Sequence, residues 1–514
     1  MVRSRLSGSL LPLALWPLLA LPACGGSCGD GLPAVDAGPG AADAAVDCSA
    51  AAMIADPGFQ DPGAWAAARG AAINPTEAGE VDDGAAIFDL EATCAGASLR
   101  QTIAVPPLAC GHLVAEVTYR VTYNDSPAAP DLAVGVGGAF AVLRRGDRNQ
   151  WTKGRVCLGS AGHGGDRELV VAPLANSSCS QSDDEAELAI DRIDLLPAEP
   201  GECAGPGEVM SGDAEGEGGW VFSGVGTGEG SLVDGAGAGG SRAAQVRVRQ
   251  NCDSAAMETP IAFPAEPGTA LELWWRATDG AHVGLWTPPF LVAYPSSDGE
   301  AHRMRMCVPE ALLGTAQRLT ATLQAAPGGS CGEPRNLELS VDEVRLVADP
   351  ACARSGGVVD GGFESLLLPF GAGHVRGNSV VAVDSAELAH GGDGVLELTT
   401  ASTCNSSFIE RWIVTPPAGA EGGPAFRFWH DTPDLAESTA SVSVHHPAPT
   451  ARPLPEGSGW AEEVVCLDPE LAGLLTRIVV RLSGGGGACN VPYAPESIRL
   501  DDLSIGPDPR CPAE

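Results

Sequence analysis

Lysine is almost missing from this 514-residue chain: Lys153 stands alone, and arginine supplies the rest of the 30 basic residues. Opposite them are 66 acidic residues, for a formal net charge of −36. So few positive charges exclude recognition of nucleic acid or of an anionic membrane surface through basic patches. Cations, neutral glycans and basic protein surfaces remain as partners. Aromatic residues are scarce as well, at 5%. Long helices are excluded, because 67 glycines and 41 prolines interrupt the chain throughout. The longest apolar run, Leu10 to Leu21, falls short of the roughly 20 residues that cross a bilayer as a helix.

Catalytic signatures are missing too. There is no HExxH, no GxSxG and no phosphate-binding loop that follows a strand and opens a helix. GVGTGEG at 224–230 has neither flank and reads as a flexible loop. His430-Asp431 has no Ser or Cys partner at a recognisable spacing, and His445-His446 precede Pro447, so these histidines read as solvated turn residues. Paired acids for glycoside hydrolysis come from distant strands, and among 66 acidic residues chance pairs carry no information. The chain is expected not to be an enzyme.

Cysteine, by contrast, is plentiful and ordered. Thirteen of the 16 cysteines follow one spacing pattern three times. Cys48, Cys203 and Cys352 open the repeats. Cys94, Cys252 and Cys404 come second, Cys157, Cys307 and Cys466 third, and Cys179, Cys331 and Cys489 fourth. Cys511 stands where a further opener would. The pattern predicts three cystine-stapled units, 48–202, 203–351 and 352–514, each large enough for its own core, in an oxidising compartment. The third and fourth cysteines flank a strand–turn–strand segment. Pairing them, as Cys157–Cys179, Cys307–Cys331 and Cys466–Cys489, would lock a hairpin and contribute about 3 kcal/mol each. The openers then pair with the second cysteines, as Cys48–Cys94, Cys203–Cys252 and Cys352–Cys404. A shifted register, Cys94–Cys203, Cys252–Cys352 and Cys404–Cys511, is nearly as good. The first register leaves Cys28, Cys110 and Cys511 over.

Arg3 and Arg5 precede the apolar run, which ends in Leu21-Pro22-Ala23-Cys24. This order reads as a secretory signal, and the tetrapeptide resembles the bacterial lipobox, departing from it at Pro22. The resemblance implies a signal peptide over 1–23 and a mature lipoprotein whose Cys24 carries acyl chains such as palmitate. Two or more chains anchor stably. Gly25 lacks the acidic residue that favours inner-membrane retention in that family, which implies the outer membrane or cell surface. Residues 24–47, rich in Gly, Pro, Ala and Asp, are expected to be a disordered tether.

Between turn residues, each repeat shows period-2 alternation: QVRVRQ, LELWW and MRMCV in the second, LELTT, FRFW and SVSVHH in the third. Such runs predict half-buried antiparallel strands. A hairpin signal recurs as TCAGASLRQTIAVPP, NCDSAAMETPIAFPA and TCNSSFIERWIVTPP, and a closing strand as LAIDRIDL, LSVDEVRL and IRLDDLSI. The fold class is therefore all-β: three tandem antiparallel β-sandwiches of jelly-roll type after the signal peptide and tether. The opening turn, the early tryptophans Trp65 and Trp220, the proline-closed strand and the final φ-x-φ-Asp-x-φ strand resemble the galactose-binding-like jelly rolls, among them carbohydrate-binding modules.

That resemblance implies a structural calcium ion between opening turn and last strand, held by Glu215 with Asp342 in repeat 2 and by Glu364 with Asp501 in repeat 3. Repeat 1 departs from the pattern with Gln60 opposite Asp191. Two carboxylates plus carbonyls suit a hard cation; the alternative is that these acids cap turns. Trp151, Trp460, Trp275 and Trp429 recur at repeating positions and read as core. Trp286, in GLWTPPF, has no counterpart and is the candidate ligand-stacking residue. The whole reads as a non-catalytic, membrane-anchored protein with tandem binding modules for a glycan. The alternative is a structural or adhesion protein making protein–protein contacts in the envelope.

Overall fold

The structure, a computed structural model, describes residues 54–514 except 78, 82, 90–95, 123–130, 145–148, 175–186, 217, 296, 326–329, 375–377, 446–448, 458, 487–488, 490 and 514. The signal sequence, Cys24, the tether, Cys28, Cys48, Cys94 and Cys179 lie outside the described residues.

The three repeats are three sandwiches of two five-stranded sheets. In repeat 2 one sheet runs, in spatial order, Val221–Val225, Ser254–Ala262, Ala316–Ala325, Ala281–Thr287, Phe290–Tyr294. The facing sheet runs Glu229–Val233, Ala243–Gln250, Pro334–Ala348, Thr269–Ala277, Ala301–Cys307. Repeat 1 keeps the same strand order. In repeat 3 the strand Ala372–His374 takes the first edge position, before Ser406–Val414, Leu475–Gly484, Ser438–His445 and Pro449–Pro453. Ala372–His374 also pairs in parallel with Phe290–Tyr294 of repeat 2, so the two repeats share one ten-stranded sheet.

Strand alternation builds the cores. In Ser254–Ala262 the residues Ala255, Met257 and Ile261 are buried. In Ser406–Val414, Ile409 and Ile413 are buried at 1% and 0%. Phe59, Phe88, Ile103 and Ile190 fill repeat 1 and Phe363, Phe426, Phe428 and Ile478 fill repeat 3. The core of repeat 2 is wider. It extends through Ala133, Phe140, Val170 and Ala172 of repeat 1 and through Trp412, Leu471 and Leu474 of repeat 3, so the repeats also pack on one another. The early tryptophans fasten the opening turns: the indole N–H of Trp65 donates to the Asp56 carbonyl and that of Trp220 to the Ser211 carbonyl.

The cystines pair differently from both registers expected. Third cysteines bond to the following opener, as Cys157–Cys203, Cys307–Cys352 and Cys466–Cys511, and second cysteines to the fourth, as Cys252–Cys331 and Cys404–Cys489. Cys110 is disulfide-bonded as well, so neither it nor Cys511 is left over. The reason lies in topology. After Cys307 the chain leaves one sheet and enters the other as Ala316–Ala325. That ten-residue strand carries Cys331 roughly 30 Å away at ~3.3 Å per residue, so no hairpin exists for Cys307–Cys331 to lock. The turn at the second cysteine likewise joins opposite sheets rather than closing a hairpin, with Cys252 and Cys404 at φ 69° and 61°. The openers Cys203 and Cys352 are therefore each bonded back to the preceding sandwich.

GVGTGEG is not a loop. Val221–Val225 and Glu229–Val233 are strands of opposite sheets, joined by a tight turn in which Thr227 donates its N–H and hydroxyl to Asp253.

Candidate functional site

Along Ala281–Thr287 the alternation sends Ala281, Val283 and Leu285 into the core, and His282, Gly284 and Trp286 to the outer face. Across the ladder Trp286 lies opposite Thr320, Gly284 opposite Thr322 and His282 opposite Gln324. Tyr294, at the end of the neighbouring strand, completes the patch. Its ring stands edge-on to Trp286, with centroids 5.1 Å apart at 86°, and stacks on His282 at 5.8 Å and 8°. Gly284 is what lets the rings lie down on the sheet. A Cβ there would come within 2.7 Å of Trp286 Nε1, 2.8 Å of Thr322 Oγ1 and 3.0 Å of Tyr294 Cε1.

These residues line a cleft of about 360 Å³, walled by Pro288 and Pro289 and, from repeat 1, by Asp131 and Arg144. An aromatic floor with amide, hydroxyl, carboxylate and guanidinium groups at its rim suits a ligand with apolar C–H faces and hydroxyl edges. The Tyr294 hydroxyl is pushed up to about 12 by burial and then by the nearby Glu410 carboxylate, so it stays protonated and able to donate a hydrogen bond. Beside the cleft a second hollow, of about 160 Å³, follows the seam between repeats 1 and 2. It is bounded by the Arg155–Glu202 fork, at 2.8 and 2.9 Å, which ties the inter-repeat linker to repeat 1 next to Cys157–Cys203.

Trp286 lies on the floor of this cleft, against Tyr294. Its partners His282, Tyr294, Asp131 and Arg144 were missed. Alternation in AHVGLWT could have found His282, but the others arrive from distant parts of the chain. Of the tryptophans read as core, Trp275 is buried under the His302 ring. Trp151, Trp429 and Trp460 are half-buried instead: Arg120 covers Trp151, and His390 stacks on Trp429 at 3.8 Å, with its Nδ1 2.7 Å from Asp502 Oδ2. The histidines are not solvated. His430 is 1% exposed and bonded to Thr432, and His445 is half-buried beside Ser443. Burial holds both below the usual imidazole range, His445 at about 4. His446 lies outside the described residues.

The four acids ascribed to calcium face hydrogen-bond donors. Asp501 Oδ2 accepts the N–H groups of His390 and Gly391 at 2.8 and 3.0 Å, and its Oδ1 that of Asp502 at 2.7 Å. Asp342 accepts from the Ala238 N–H, the Ser241 hydroxyl and the Glu343 N–H. Glu364 accepts the Asp393 N–H and Glu215 that of Arg242. A cradle of N–H groups presents positive partial charge, so this donor set does not fit a cation. It fits the alternative role: the ladder register shifts at Asp191, Asp342 and Asp501, with Glu343 and Asp502 at φ 48° and 49°, and the carboxylate caps the loop over that bulge. Among the described residues no group of three His, Cys, Asp or Glu is arranged to hold a metal.

No protein-family model matches this chain, and no curated protein matches it. Solved structures do show similarities. The module TmCBM61 in complex with β-1,4-galactotriose is 16% identical, with 29% of this chain and 96% of that chain covered, at a TM-score of 0.23. The tandem CBM22-1–CBM22-2 domain of Paenibacillus barcinonensis Xyn10C is 13% identical over 59% of this chain and 99% of that chain, at 0.20. A triple jelly roll from the turret of an archaeal virus is 8% identical over 86% and 88%, at 0.16.

Proposed function

We propose that this chain is a non-catalytic glycan-binding protein, held on the bacterial envelope through an acylated Cys24, which lies outside the described residues. One observation carries the binding reading: Trp286 and Tyr294 meet at a right angle over Gly284, with hydrogen-bonding groups from two repeats around them. Sugar rings offer an apolar face to such rings and hydroxyls to such a rim. Only Asp131 among the described lining residues is acidic, which favours holding a sugar over cleaving it. Outer-membrane placement rests on the LPAC-Gly sequence; Cys24→Ser is expected to release the protein from membranes.

The test is affinity electrophoresis of the full chain against a panel of soluble polysaccharides. At least one should retard the wild type, and Trp286→Ala, at an accessible surface position, should weaken that interaction by about 10- to 100-fold, the equivalent of ~1.4–3 kcal/mol. Retardation of both proteins alike would remove the cleft from the account.

A second reading, protein–protein contact, is favoured by the strand Val221–Val225. It forms one edge of the ten-stranded sheet and exposes Val221 and Val225 at 54% and 65%. An apolar open edge can accept a strand from a partner.

A further inference from the structure

The outer face that carries Trp286 and Tyr294 does not stop at the boundary of repeat 2. Tyr294 lies beside Gly373 in the parallel pair, Gly373 opposite Phe408, Phe408 opposite Arg481, and Arg481 opposite Ser441. A Cβ on Gly373 would meet the Phe408 ring at 2.3 Å, so that ring lies over the seam between the repeats. One strand position along, Glu410 lies opposite Val479 and Val479 opposite Ser443; one further, Trp412 lies opposite Arg477. Cross-strand neighbours share a face, so all these side chains continue the face that Tyr294 begins; Phe408 and Arg481 reach its surface, whereas Glu410, Trp412 and Val479 are buried.

The chemistry changes across the seam. Repeat 3 places Arg477 and Arg481 on this face, with Glu410 as the carboxylate among them. Glu410, only 3% exposed, pairs with Arg477 and accepts from the Trp412 indole, so it is already engaged. Arg481 has no carboxylate partner among the described residues; it lies over the Phe408 ring at 5.4 Å. Arg481 is itself exposed, so a ligand can reach its guanidinium. Arg477 Nε and His445 Nδ1 are buried without a hydrogen-bond partner. A guanidinium that makes no ion pair and is open to solvent can take a ligand carboxylate in a charge-assisted contact.

Resting on the glycan reading of the Trp286 cleft, we infer that the ligand is an acidic polysaccharide, which crosses from the aromatic cleft of repeat 2 onto repeat 3 and sets a sugar carboxylate against Arg481. Tyr294 and Arg481 are three strands apart, about 14 Å at ~4.8 Å per strand, a distance a linked chain of sugars bridges and a single sugar does not. The overall charge of −36 opposes such a ligand at long range. Salt screens that field over ~8 Å, so the contact at the guanidinium decides.

The experiment compares a soluble polyuronate with its carboxyl-reduced form, which keeps the linkage and loses only the charge, by calorimetry on the full chain. Wild type should bind the polyuronate about tenfold or more tightly than the reduced form, as one charge-assisted contact provides. Arg481→Gln should erase the preference, Arg481→Lys should keep part of it, and Trp286→Ala should weaken both ligands. Equal binding of the two forms by wild type would overturn the acidic-ligand inference and leave the glycan reading standing. A preference that survives Arg481→Gln would overturn the role of Arg481. Binding of neither form, with a neutral polysaccharide bound through Trp286, would also overturn the inference, and failure of every polysaccharide would overturn both readings.

Discussion

The two halves of the ten-stranded sheet have the same arrangement and different surfaces. In each, a central strand, Ala316–Ala325 or Leu475–Gly484, is flanked by antiparallel neighbours in equivalent order. Inward positions are buried and mostly apolar in both, with Thr259 in repeat 2 and Ser407 and Arg411 in repeat 3 as polar exceptions. Outward positions diverge: repeat 2 has His282, Trp286, Thr322 and Gln324, whereas repeat 3 has Phe408, Glu410, Arg477 and Arg481. The fold constrains every second residue, and the residues between are free to carry chemistry. A shared edge then turns two separate surfaces into one.

The largest expected effect breaks the repeat 3 side. Glu410→Ala leaves the half-buried Arg477 without its partner and should cost up to about 3–5 kcal/mol, measured by denaturant unfolding of the full chain. A cost below 1 kcal/mol would mean the pair is solvated and the two halves are less different than described. Next comes Gly284→Ala in repeat 2. The added methyl must displace Trp286 or Tyr294, at about 1–3 kcal/mol of stability, and the variant should lose ligand affinity more than Thr320→Ser, which adds no bulk.

Much of this difference could be read from the sequence, and some could not. Alternation in QVRVRQ, LELWW and FRFW located strands, and the Gly–Pro punctuation bounded them, because period-2 burial is a local property. The cystine register depended on which sheet each strand joins. Spacing is blind to that: Cys307 and Cys331 are close in sequence, yet a full strand separates them in space. The recurring Asp of the last strand was visible, but the N–H groups facing it come from loops such as His390–Gly391, more than a hundred residues earlier. Asp131 and Tyr294 reach the Trp286 cleft from different strands for the same reason.

Acid should separate the halves more gently. His430 and His445 of repeat 3 have folded pKa values depressed by burial, His445 to about 4 with Arg477 and Arg481 adding to the effect. Below about pH 6.5 the unfolded chain takes up protons that the folded chain refuses, so their contribution is full above that pH and declines as pH falls toward 4. Hydrogen exchange in Ser438–His445 should accelerate over that window before exchange in Ala281–Thr287, and His445→Gln should reduce the difference. Equal acceleration in both strands would contradict this. The smallest expected effect is none at all: chelator should leave the melting temperature of the full chain unchanged, since Asp342 and Asp501 are satisfied by N–H and hydroxyl donors. A fall of several degrees would restore a cation to the bulge.

The central claim is that ligand lies on the outer face of the shared sheet. Hydroxyl-radical footprinting of the full chain, with and without a bound polysaccharide, tests it most directly, because tryptophan and tyrosine report by mass where they are shielded. Protection of Trp286 and Tyr294, with Trp429 and Trp460 on the opposite sheet unchanged, is the predicted result. Protection confined to Trp429 and Trp460 would contradict the account.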